Sequence, residues 1–175
     1  VLLGASALGT VGLTGAAMQM FTHGLITGLL FVMVGLVYDR THTRAIPELS
    51  GLAHRMPYVA TVMVIAGLAS LGLPSLAGFV AEITVFLGTF PRHQLLTVLG
   101  VLGVLLAAGY ILWMVQRVFW GEPSPRWQGI GDAVAWWERV PTLALVLAIV
   151  LVGIYPAVVM DLFERGVLPI ASRLG

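Results

Sequence analysis

PYVATVMVIAGLASLGLPSLAGFVAEITVFLGTFP, residues 57–91, is predominantly apolar and carries a single charged side chain, Glu82. At about 1.5 Å per residue a straight helix of this length would reach roughly 50 Å, well beyond a hydrocarbon core about 30 Å thick. Its middle reads Gly72-Leu73-Pro74-Ser75, with Gly78 close behind. Proline removes a backbone donor and disfavours helix at the residue before it, so one discontinuous helix is expected, broken between Leu73 and Gly78. Non-helical backbone at membrane depth is tolerated only against protein or a polar cavity, and half-helices joined there build ion sites in many transporters. Glu82 falls just past the break. An ionisable residue inside a span marks a functional site by default, and reversible protonation is the chemistry a carboxyl offers. The plainer reading is a carboxyl kept for helix packing or paired with Arg117.

The surrounding composition puts this stretch in a membrane. With 59% hydrophobic and 10% charged residues and a mean hydropathy of +0.99, 175 residues cannot hide their apolar surface in one small soluble core. The fold expected is all-α, a polytopic transmembrane bundle of about four spans plus the tail of a preceding one. Those spans are 12–38, the broken 57–91, 95–118 and 140–160, and residues 1–175 read as a single membrane domain. The opening VLLGASAL lacks the basic region and cleavage site of a signal peptide and reads as the end of an earlier span. Zero cysteines exclude disulfides, Cys-held iron–sulfur clusters and c-type haem. All nine basic residues are arginine, net charge is +1, and no basic stripe points to nucleic acid.

Six of the nine arginines lie in the loops 39–56 and 117–139, and three lie in the 91–94 turn and the C-terminal tail. The two longer loops are therefore expected on the cytoplasmic side and the C-terminus outside. Trp127, Trp136 and Trp137 suit a segment at headgroup level.

Two further residues are candidates for proton chemistry. His23 lies mid-span with Gln19 and Thr27 four residues away on either side, so the three share a face, and an imidazole can both take and give a proton near neutral pH. The alternative is a structural histidine hydrogen-bonded across helices. Arg117 closes the third span; it reads as an anchor snorkelling to headgroups, or as a counter-charge for a proton path. Tyr38, Asp39, Arg40, His42 and Arg44 read as a solvated face or subunit contact. No metal site is expected, because the four histidines are scattered and no metal-ligand spacing occurs. Nucleotide loops and nucleophile elbows are likewise missing. Gly24 with Gly28, and Gly100 with Gly103, are spaced for close helix approach.

Three motifs carry a resemblance: QMFTHG around His23, LFVMVGLVYDRTHTR at 30–44 and GLPSLAGFVAE at 72–82. Together they make residues 15–120 resemble the antiporter-like membrane subunits of proton-pumping NADH:quinone oxidoreductase, complex I, and more narrowly its M-type subunit. YILWMVQRVFWGEP at 110–123 matches more loosely. The resemblance implies a fourteen-helix, non-redox, proton-translocating subunit whose last helices this chain supplies, with the broken helix in the C-terminal half-channel. Glu82 matches the residue that exchanges protons toward the outer side; related subunits usually place Lys there. His23 matches a histidine on the family's hydrophilic axis. Flavin, iron–sulfur clusters and quinone would belong to other subunits, leaving no cofactor in this chain. Its partners would be the other membrane-arm subunits, membrane lipid and protons, and its location the bacterial inner membrane. The alternatives are a cation/proton antiporter subunit, a membrane-bound hydrogenase or formate-hydrogen lyase subunit, or a membrane scaffold. Two departures stand out: Ala81 replaces the usual glycine of GFVGE, and the chain has no lysine for the family's intramembrane relay.

Overall fold

The computed structural model describes residues 1–174, which form an all-helical bundle. Its α-helices are α1 (Leu2–Ser6), α2 (Thr10–Thr41), α3 (Pro57–Ser70), α4 (Ala77–Thr89), α5 (Gln94–Phe119), α6 (Trp136–Ile154) and α7 (Ala157–Leu174). Three are long and apolar enough to cross a membrane alone, namely α2, α5 and α6. The shorter α3 and α4 are apolar as well and are the two halves of the interrupted 57–91 stretch.

The break has a defined chemistry. At the end of α3, Leu71 N–H donates to Gly67 O, Gly72 N–H to Ala69 O at 3.3 Å and Leu73 N–H to Leu68 O at 3.1 Å. Gly72 sits at φ +68°, the left-handed conformation that this C-terminal motif requires and glycine adopts without penalty. Pro74 follows and cannot resume the helix. Hydrogen bonding to orphan carbonyls is what makes such an ending tolerable at membrane depth, where an unmet polar group costs several kcal/mol. Backbone then resumes as α4 at Ala77.

One packing contact fixes where α4 goes. A Cβ added at Gly15 would meet the backbone of Thr84 and Val85, and one at Gly88 would meet the backbone of Gly12, so α2 and α4 touch backbone to backbone. Small residues permit this approach, which is a main source of helix attraction where no hydrophobic difference drives it. The backbone-to-backbone contacts are not at the glycines singled out by spacing: Gly24, Gly28 and Gly103 face nothing within 4 Å, and of that set only Gly100 has near neighbours, the side chains of Phe86 and Leu3. Spacing alone could not separate a glycine on the α4 side of α2 from one on its outer side.

The fourth long span also differs from its expected limits of 140–160. Helix α6 begins at Trp136, since Glu138 Oε2 accepts the Ala135 N–H at 3.3 Å and starts the helix early. It ends at Ile154 because Tyr155 precedes Pro156, where helix is disfavoured. Residues 157–160 belong instead to α7, which packs along the first half of α2 with Phe163 against Phe21, ring centroids 5.9 Å apart. The short α1 lies within the opening VLLGASAL.

The loops 42–56 and 120–135 are laced together at one end of the bundle. Arg40 donates to Gly131 O at 3.0 Å and pairs with Glu138, Ser50 Oγ donates to Glu122 O, and Trp127 Nε1 donates to Glu48 O. At the opposite end Arg92 Nη1 donates to Ala7 O at 2.9 Å, and His93 Nε2 lies 3.3 Å from Ser6 O.

Candidate functional site

Glu82 is the sixth residue of α4. Helical side chains lean toward the N-terminus, so from this position its carboxyl reaches back to the break rather than out along the helix. It arrives over Gly72: a methyl placed there would collide with Glu82 Oε2. Gly72 thus serves twice, supplying the left-handed turn and the notch that admits the carboxylate. Glu82 itself is half-buried.

The ground around it is polar by construction. The first-turn N–H groups of α4 have no helical acceptor, and Leu76, its N-cap, offers no side chain to meet them. Ser75 takes φ +76°, a further irregular residue in the link. Helix α3 presents its carbonyl end and α4 its amide end to the same small region, which is the arrangement that suits an exchanging charge. Gly78 brings the halves together, since a Cβ there would strike Ala69 O. Ala81, the departure from the glycine of the motif, is fully buried at the α2 side and its methyl is absorbed in the packing.

The remaining candidates are spread out. His23 is exposed on α2, and Thr27 Oγ1 donates to its backbone carbonyl at 2.6 Å. Arg117 is exposed at the end of α5, with its guanidinium 4.4 Å from the Trp113 ring centre, in a groove shared with Ile46, Ser50 and Trp120. It makes no ion pair among the described residues, and the structure does not bring it to Glu82. Within the 38–44 cluster, Arg40 is an internal brace rather than a solvated charge, while Arg44 lies 4.6 Å from the Tyr38 ring centre. Among the described residues no three His, Asp or Glu side chains gather as a metal site would require.

Sequence reasoning passed over two features. Asp132 accepts the backbone N–H groups of Tyr58 and Val59 at 2.6 and 3.3 Å, capping α3 from a distant loop. Only its position before a tryptophan-rich segment was visible in sequence. Gln19 was seen as a member of the His23 face, not as a residue of the α2–α4 seam.

Comparison with known proteins follows the same lines. Residues 1–107, which include His23 and Glu82, match the family model described as NADH:quinone oxidoreductase/Mrp antiporter, transmembrane. NAD(P)H-quinone oxidoreductase chain 4 of Synechococcus elongatus is 36% identical over 187 residues, covering 99% of this chain and 34% of that protein. NADH-quinone oxidoreductase subunit M of Rhodobacter capsulatus is 38% identical over 168 residues, covering 95% and 33%. The chain therefore spans about a third of the length of the curated relatives it matches. Among solved structures, respiratory complex I of Thermus thermophilus contains a chain that superposes with a TM-score of 0.91 at 33% identity, covering 99% of this chain and 36% of that one. The Mrp complex of Dietzia gives 0.85 at 21% identity, covering 99% and 40%, a likeness of fold alone.

Proposed function

The chain belongs to the NADH:quinone oxidoreductase/Mrp antiporter transmembrane family, and from that membership we propose that it forms the C-terminal half-channel of a proton-translocating, non-redox subunit of an NADH:quinone oxidoreductase. The observation that carries this reading is the Glu82 carboxyl set over Gly72 at the break in the 57–91 helix. Half-helix ends and irregular backbone give water and charge a place to sit at membrane depth, and Glu82 is the one group there that titrates. In this reading Glu82 takes a proton from the interior of the membrane arm and releases it along α4. His23, at mid-span on α2, hands protons along the axis toward it. Arg117, stacked beside Trp113 at the loop end of the bundle, anchors that end at the headgroups. Flavin, iron–sulfur clusters and quinone belong to partner subunits, and the location is a bacterial inner membrane. A cation/proton antiporter reading shares the family model and the fold, and is marked by sodium-dependent transport.

The test is substitution in the full-length subunit within its assembled complex. Glu82→Gln keeps shape and removes the titratable group, so proton uptake into vesicles and coupled quinone reduction fall by at least about tenfold. Glu82→Asp retains part of the activity. His23→Ala gives a milder loss, because a bridging water costs only about 0–2 kcal/mol. Normal pumping by an assembled Glu82→Gln complex would reduce the carboxyl to a packing group.

A further inference from the structure

The seam between α2 and α4 holds a polar side chain with a buried oxygen, unpartnered among the described residues. Three close approaches fix the seam, with Gly12 against Gly88, Gly15 against Val85 and Ile26 against Gly78. On α2 these positions step by three and four, and the ladder 12, 15, 19, 22, 26 passes through Gln19 and Thr22. The antiparallel register that pairs Gly12 with Gly88 and Gly15 with Val85 sets Gln19 level with Ala81, the residue before Glu82. Gln19 Oε1 is buried and has no hydrogen-bond partner among the described residues. That oxygen is sealed from bulk solvent, and buried polar atoms of native proteins find partners.

The chemistry of the amide narrows what that partner is. A carbonyl oxygen accepts and needs a donor, and an ionised carboxylate has none to give, whereas a protonated carboxyl offers one O–H. Resting on the reading of Glu82 as the proton-exchanging group, we propose that Gln19 is a positioning residue of that site, accepting a hydrogen bond from the protonated carboxyl of Glu82 directly or through one water. The direct contact to the Gln19 carbonyl oxygen is made only by the protonated carboxyl, whereas a bridging water can serve either state with a different geometry. Gln19 then selects the conformation in which the loaded carboxyl turns from the Gly72 notch toward the α2–α4 seam.

The experiment uses the full-length subunit in its assembled complex and infrared difference spectra between acid and alkaline pH. The band lost in Glu82→Gln identifies the carboxyl C=O stretch of protonated Glu82. Gln19→Met preserves length and removes the amide; the band moves to higher wavenumber as the carboxyl loses its partner, and coupled pumping falls about tenfold, the scale of one hydrogen bond. Gln19→Asn, with a shorter reach that a water can span, returns the band part of the way and also serves if the methionine variant fails to assemble. A Glu82 band that is present and unmoved in assembled Gln19 variants overturns this proposal while leaving Glu82 as the exchanging group. Absence of any Glu82 band, together with normal pumping by Glu82→Gln, overturns both.

Discussion

Gly72 and Glu82 are a matched pair, and the match makes a prediction specific to them. Alanine at 72 must adopt φ +68°, which costs about 1–2 kcal/mol, and its methyl takes the space of Glu82 Oε2. The backbone strain is small against the packing of the whole bundle, so Gly72→Ala should assemble. The displaced carboxyl should lower coupled turnover by about tenfold for each ~1.4 kcal/mol added to the limiting step. Gly78→Ala makes the contrast: its methyl would strike the Ala69 carbonyl, a backbone atom that cannot step aside, so it should reduce the amount of assembled complex instead. Quantifying complex by native gel beside proton uptake separates the two, and wild-type turnover in Gly72→Ala would mean the carboxyl does not need that notch. Glu82 and the glycine of its turn were legible in the sequence because a charge and a Gly-x-Pro stand out against an apolar background. The notch was not, since it depends on a side chain reaching back ten residues across a break.

At the scale of elements, the break in the 57–91 stretch was readable because length and Pro74 both demanded it, and α5 lies within a residue of its expected limits. The fourth span was misplaced for a physical reason: hydropathy stays high across Tyr155–Pro156, so composition alone runs α6 into α7, and only the proline separates them. The start of α3 was also incompletely legible. Pro57 marks its first turn, but the acceptor for its free N–H groups comes from Asp132, more than seventy residues away. A carboxylate there meets both the orphan donors and the positive end of the helix dipole. Asp132→Ala should therefore destabilise the subunit by about 0.5–2 kcal/mol, the usual range for a lost cap, and Asp132→Asn by less because one acceptor oxygen remains. Thermal unfolding of the full-length subunit in detergent checks this, and equal midpoints for wild type and Asp132→Ala would show that the cap contributes nothing.

At the scale of the whole molecule, the two ends of the bundle differ in a way that predicts which of them faces the cytoplasm. All five tryptophans and six of the nine arginines lie toward the end formed by the 42–56 and 120–135 loops. That end also carries Asp39, Glu48, Glu122, Asp132 and Glu138, so its net charge is nearly neutral, and Arg40 and Arg126 are paired with Glu138 and Glu48. Orientation follows the count of basic residues near span ends and is little affected by acids, so the laced end is expected in the cytoplasm. The hydrogen bonds between the loops make this one decision, since they must lie on the same side. Helix α4 then runs from the break to the outer face, and Glu82 stands seven residues, roughly 10 Å, from its outer end at Thr89. The chain contains no cysteine, so Ser50→Cys and Ser172→Cys each introduce a single thiol into this stretch. An impermeant maleimide added to intact cells should label position 172 and spare position 50 until the membrane is opened. Strong labelling of position 50 from outside would turn the bundle over, and with it the side to which Glu82 would deliver a proton in the proposed role: the carboxyl would then lie on the uptake half of the path, and Glu82→Gln should impair proton entry from the cytoplasm rather than release.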